Sequence, residues 1–121
     1  MTELVDDRAQ ALQVGYHATD WNDRPSFDSY AAAMEDWDIK ALVRNGVCIG
    51  AVYFNGDELH VSVLPSWRRR WATKGLLAKL FDRERVVTRV TDGHDYMHGI
   101  LRRLGFDAHD GLYVRGHANG H

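Results

Sequence analysis

The residues with most chemistry to offer lie between Glu58 and Lys74. Glu58 and His60 are two apart in a segment that reads as a strand, so their side chains leave the same face. Either group could accept a proton, and histidine is the side chain type that titrates nearest to neutral pH. The plainer alternative is a polar strand end followed by a hydrogen-bonded sheet residue. Next comes a basic run, Arg68, Arg69 and Arg70, with Lys74 one turn later, after the break at Pro65 and at the start of a helical pattern. Backbone N–H groups at a helix N-terminus lack intrahelical partners, and the helix dipole favours an anion there. Cations at that end are slightly unfavourable by themselves, so a bound phosphate would relieve the cost. The alternative is a solvated helix start.

Two other groups invite chemistry less well. His94 and His98 are four apart, but zinc would need a third protein ligand and none is evident by spacing, so no metal site is read. Cys48 is the one cysteine, set in an apolar run with no cation beside it in sequence, which fits a core position and permits no intramolecular disulfide.

The elements that must position these residues follow from composition and punctuation. At 121 residues the chain supports one core, and its 45% hydrophobic and 26% charged residues are ordinary for a globular domain. Net charge is −2, which argues against a general polyanion binder, although acidic residues dominate up to Asp38 and basic ones cluster from Arg68 to Arg103. No apolar run reaches membrane-spanning length and the start is acidic, so a cytoplasmic protein without a membrane partner is expected.

Thr2 is expected to cap a first helix carrying Leu4, Val5, Ala9 and Leu12 and ending at Gly15. Ser26 is expected to cap a second, through about Asp36, with Phe27, Tyr30, Ala31 and Met34 on one stripe. Three strands follow, Ile39–Arg44, Val47–Phe54 and Glu58–Leu64, joined at Asn45-Gly46 and at Asn55-Gly56-Asp57. A helix over Arg69–Asp82, a strand over Arg85–Thr91, a helix over Asp95–Leu104 closed by Gly105, and a hairpin of Phe106–His109 with Leu112–Arg115 complete the domain. The reading is a single α+β domain over residues 1–115, with a mixed sheet made of an antiparallel meander and a right-handed parallel β-α-β crossover, and a loose tail over 116–121.

This order, together with Val63-Leu-Pro-Ser-Trp-Arg68 and Leu101-Arg-Arg-Leu-Gly-Phe106, resembles the GNAT superfamily of acyl-coenzyme A-dependent N-acyltransferases. The resemblance implies a strand that splays from its parallel neighbour and a gap that admits the pantetheine arm of acetyl-CoA. It implies main-chain pairing by Val63 and Leu64 and a pyrophosphate loop over Arg68–Lys74, in which Arg68, Arg69, Arg70, Trp71, Ala72, Thr73 and Lys74 would contact the co-substrate. It implies a base on the third strand, Glu58 or His60, that deprotonates an amine attacking the thioester directly. It also places His94 where the family often has Asn at its last helix.

The chain departs from the family at Trp71 and Thr73, where small residues are usual, and at Leu101, where a tyrosine often serves as the acid for the departing thiolate. Trp71 in a left-handed conformation would cost about 1–2 kcal/mol; the other expectation is a helical Trp71 packed beside Trp67 or over the mouth of the site. Trp21 and Trp37 flank the second helix, a region that borders the acceptor site in the family, and core packing is the reading taken for them. The compact size is also similar to GNAT-like proteins of bacteriophages. That likeness implies an alternative to catalysis: a GNAT-fold module that binds a protein in a virion or host, with nucleic acid a less favoured partner.

Overall fold

Asn45 and Gly46 both take positive φ, 53° and 78°, as a two-residue hairpin turn between right-twisted strands requires. They join the second and third strands of a seven-stranded sheet. The structure is a computed structural model and describes residues 2–19, 21, 23–90 and 95–116. In chain order the elements are β1 (Thr2–Val5), α1 (Arg8–Ala18), α2 (Phe27–Ala33), β2 (Asp38–Arg44), β3 (Val47–Asn55), β4 (Glu58–Val63), a 3-10 turn (Pro65–Trp67), α3 (Lys74–Leu80), β5 (Arg85–Thr88), α4 (Tyr96–Arg103), β6 (Asp107–His109) and β7 (Leu112–Gly116). The sheet order is β1-β2-β3-β4-β5-β7-β6, with β4 and β5 parallel and the other neighbouring pairs antiparallel. This is the mixed α+β domain expected from the sequence.

Alternation along β3 divides the core in two. Val52 and Phe54 face one layer, where Leu76, Leu77 and Leu80 of α3 and Met97 and Leu101 of α4 pack. Ala51 and Tyr53 face the other, against Ala11 of α1 and Tyr30 of α2. Among the described residues, no helix is long and apolar enough to cross a membrane.

Five local expectations are corrected. Thr2 does not cap a helix: Thr2–Val5 is an edge strand on β2, and Asp7 caps α1 by accepting from the Gln10 N–H. Gly15 does not end α1, which runs on to Ala18; a Cβ at Gly15 would stand 2.0 Å from the Tyr53 hydroxyl oxygen, so the glycine permits close helix-to-sheet approach. The helix after Pro65 is shorter than expected and starts at Lys74, because Arg68 to Trp71 make a turn in which Arg69 takes φ 72°. The strand after it stops at Thr88. Gly116 pairs with Arg85 in the sheet, and His117–His121, the rest of the expected tail, lie outside the described residues.

Candidate active site

Parallel pairing between β4 and β5 holds at one register position, Glu58 with Val87, reinforced by the Val87 N–H donating to the Asp57 carbonyl at 2.8 Å. β4 then continues five residues to Val63 along β3, without a further partner position on β5. The two strands therefore part like a wedge.

The orientation of β4's peptide groups at the open end follows from planar trans geometry, which points successive C=O and N–H groups in opposite directions. A Cβ on Gly50 of β3 would lie 2.2 Å from the Ser62 carbonyl oxygen, so that carbonyl faces β3 and the Val63 N–H faces the gap. The Leu64 N–H donates to the Ile49 carbonyl at 2.8 Å, so the Val63 carbonyl also faces the gap. Of the two residues expected to offer main-chain groups there, Val63 turns its N–H to the gap while its carbonyl accepts from Arg68 Nε at 3.2 Å, and the Leu64 N–H is already paired within the sheet.

Trp71 lines one cavity with Leu59 and Val61 of β4 and Thr88 of β5. It is 2% exposed and belongs to the core layer of α3 and α4. Its indole N–H donates to the Tyr96 hydroxyl at 2.7 Å. Between Trp71, Val61, Val90, Met97 and Leu101 remains a cavity of about 40 Å³, room for about one water molecule and far too little for a pantetheine arm. Trp71 is neither helical nor left-handed: the positive φ falls on Arg69 two residues earlier. Leu101 is buried beside it, with no proton to give.

The basic run divides by role. Arg68 is half-buried; its Nε donates to the Val63 carbonyl at 3.2 Å and its Nη2 to the Ala18 carbonyl at 3.1 Å, tying the end of β4 to the C-terminus of α1. A cation at a helix C-terminus is also favoured by the dipole. Arg69, Arg70 and Lys74 are exposed. The Arg69 guanidinium lies 5.4 Å from the Tyr96 ring centre and that of Arg70 4.5 Å from Trp67. The Arg44 guanidinium donates to the Arg70 carbonyl. Thr73 is the N-cap of α3, accepting from the Leu76 N–H at 3.2 Å, and Ala72 is half-buried against the core. His94 lies outside the described residues.

On the other face of β4, Glu58, His60 and Ser62 project together. His60 Nε2 and Glu58 Oε2 are 3.0 Å apart, and both side chains remain substantially exposed. Beside them opens a cup of about 260 Å³. Trp21, Met34 and Trp37 form its walls and Tyr30 and Tyr53 its floor, while Thr19, Ser62 and His60 line the β4 side. The Trp37 and His60 ring centres are 5.5 Å apart.

This cup is built by identifiable contacts. Ser26 caps α2 through the Ser29 N–H, which fixes the helix carrying Tyr30. Arg8 donates to the carbonyls of Trp37 and Met34 at 2.5 and 2.7 Å, holding that wall to α1. Trp21 donates its indole N–H to the Tyr16 carbonyl at 2.9 Å. The Tyr30 and Tyr53 hydroxyls bond to each other at 2.7 Å, and burial pushes both phenols above their usual pKa. Trp21 and Trp37 pack against the core layer of α1 and α2, as expected, and also border this recess. Composition cannot separate a buried aromatic from one facing a groove.

His60 also borders a second groove, of about 210 Å³, with Glu58, Val87, Arg89 and Leu112. Elsewhere, His98 Nδ1 and the Tyr113 hydroxyl are 2.7 Å apart, and burial raises the pKa of the Cys48 thiol.

No protein-family model and no curated protein sequence matches the chain. Solved structures do. The ribosomal-protein-S18-alanine N-acetyltransferase of Escherichia coli aligns over 94% of this chain and 91% of its own, with TM-score 0.59 and 18% identity. A Salmonella typhimurium protein solved with its cofactor acetyl-CoA aligns over 94% and 90%, with TM-score 0.59 and 19% identity. A GNAT-family protein of Desulfovibrio desulfuricans aligns over 98% and 99%, with TM-score 0.60 and 11% identity. The chain has the GNAT fold. At these identities the likeness concerns the GNAT architecture itself, and the chemistry rests on this chain's own residues.

Proposed function

We propose that the protein is an acyl-CoA-dependent N-acetyltransferase whose co-substrate enters the wedge between β4 and β5 and whose amine acceptor sits in the cup on the opposite face. The carrying observation is the parting of β4 from β5 beyond Glu58 and Val87, with the Val63 N–H turned into the opening and the Val63 carbonyl, on the same side, held by Arg68. It is supported by the GNAT fold and by the acetyl-CoA found with a structural neighbour.

Bound acetyl-CoA supplies an electrophilic thioester carbonyl. The chain's part is binding, orientation and proton transfer. Exposed Arg69, Arg70 and Lys74 offer charge to the pyrophosphate, alongside main-chain groups of the turn through Trp71, Ala72 and Thr73. Arg68 contributes differently, by fixing the Val63 carbonyl and the end of α1. Trp71 must swing aside, because the space beside its indole is too small as it stands. The Val63 N–H is aimed at the gap and donates to oxygen as negative charge develops there. His60 takes the amine's proton, with Glu58 orienting the imidazole from 3.0 Å; as the amine nitrogen bonds to the acetyl carbon the C–S bond breaks, and coenzyme A would leave as a thiolate protonated from solvent.

Calorimetric titration with acetyl-CoA up to millimolar concentration tests the reading. Saturable binding is expected, and the absence of any heat excludes it. A second reading, a GNAT-fold module that binds a partner without catalysis, is favoured by one observation: the buried Trp71 in the wedge, next to a leucine at position 101. Its nucleic-acid version requires binding through Arg69, Arg70 and Lys74 that weakens steeply with salt.

A further inference from the structure

The cup differs from the rest of the molecular surface in what it lacks. Among the described residues lining it there is neither a carboxylate nor a lysine or arginine; His60 brings the one imidazole. Its polar atoms are largely spent on one another. The Tyr30 and Tyr53 hydroxyls share a hydrogen bond, Thr19 Oγ1 and Ser62 Oγ lie 3.1 Å apart, and the Trp21 N–H is given to a main-chain carbonyl. What remains is aromatic and thioether surface, with polar capacity concentrated along β4.

Resting on the acetyltransferase reading above, we propose that the acceptor is a small monoamine with an apolar, aromatic body. Its ring lies against Trp37 and Trp21, and its nitrogen points to His60 and Ser62. The 5.5 Å between the Trp37 and His60 rings places the end of a short arm, stacked on the indole, beside the imidazole. The 260 Å³ of the cup equals about nine water volumes, suited to one ring and a two-carbon arm. The Trp faces attract an approaching ammonium before it loses its proton. A second ammonium, as in a polyamine, would find no carboxylate among the described lining residues. The carboxylate of a free amino acid would find no lysine or arginine there. Inside the cup neither charge would meet an opposite one among those residues; Glu58, 3.0 Å from His60, stands outside the lining.

The test uses the full chain and follows the four indole N–H signals by NMR, assigned with single Trp→Phe variants. The probes are 2-phenylethylamine, spermidine and phenylalanine. The expected result is a saturable shift of the Trp21 and Trp37 signals by 2-phenylethylamine, at least about tenfold tighter than either other probe, a gap of about 1.4 kcal/mol. Trp37→Ala should weaken that binding about two- to tenfold. Equal or tighter binding of spermidine or phenylalanine overturns the proposal, as does the absence of Trp21 and Trp37 shifts with all three. The wild-type selectivity decides the matter even if the variant folds poorly. The same spectra separate this inference from the reading beneath it: acetyl-CoA should move the Trp71 signal. An unmoved Trp71 and no acetyl transfer sink the enzyme while leaving an amine site. Acetylation of spermidine but not of 2-phenylethylamine sinks the acceptor class while leaving the enzyme.

Discussion

Replacing Trp71 should move stability and co-substrate affinity in opposite directions. Trp71 is 2% exposed, lines the cavity beside β4 and β5, and donates one hydrogen bond through its indole N–H to Tyr96. Truncation to alanine removes that burial and leaves a cavity, a change that costs about 3–5 kcal/mol; the milder Trp71→Leu should cost about 1–3 kcal/mol. In a domain of this size the alanine variant should melt about 10–20 °C lower. Binding of acetyl-CoA, however, requires the indole to leave, so part of its intrinsic affinity is consumed in displacing a side chain whose burial is worth about 1.5–3 kcal/mol. With the indole gone, that cost vanishes and the affinity should rise about tenfold or more. Differential scanning calorimetry gives the first quantity and titration calorimetry the second, with Trp71→Leu covering the case in which alanine unfolds the protein. Affinity that falls together with stability would refute the reasoning, because Trp71 would then be part of the binding surface and not an obstacle to it.

Other expectations are independent of that one. His60→Ala should lower kcat for acetyl transfer about 10²–10⁴-fold, with an unchanged melting temperature, since the side chain is substantially exposed; a smaller effect removes it as the base. Arg68→Met should destabilise by about 1–3 kcal/mol through the loss of its bonds to Val63 and Ala18. A combined Arg69→Gln, Arg70→Gln and Lys74→Gln variant should instead keep its stability and lose acetyl-CoA affinity, as paired denaturation and binding curves would show. Tyr30 and Tyr53 hold their protons above the ordinary value of 10.0. Their contribution is therefore complete below pH 10 and declines above it, where the unfolded chain ionises first. Urea titrations from pH 8 to pH 11 should show this decline, flattened in Tyr30→Phe.

Much of the architecture was legible because it is set by local chemistry. Asn45-Gly46 demands a hairpin, Pro65 ends a strand, Ser26 caps a helix, and alternation puts Glu58 and His60 on one face. The misreadings arise where distant contacts decide. Leu4 and Val5 suit a helix by spacing, and only pairing with Leu42 and Ala41 makes them a strand. Gly15 reads as a stop until Tyr53 is known to press on it. In the site, the basic run announced a loop, but nothing local distinguishes Arg68, turned inward onto two carbonyls, from Arg69 and Arg70, left exposed. Thr73 stood out as a departure from the family and serves as a helix cap. The aromatic cup had no signal of its own, since Trp21, Tyr30, Trp37 and Tyr53 come from separate elements brought together by packing.

A crystal structure of the protein soaked with acetyl-CoA decides whether the wedge receives the co-substrate. The pantetheine arm should lie along Val61 to Val63 and the diphosphate by Arg69, Arg70 and Lys74, with the Trp71 indole swung out of the wedge. Density for acetyl-CoA elsewhere on the surface, with Trp71 still bonded to Tyr96 inside a closed slot, would contradict that placement.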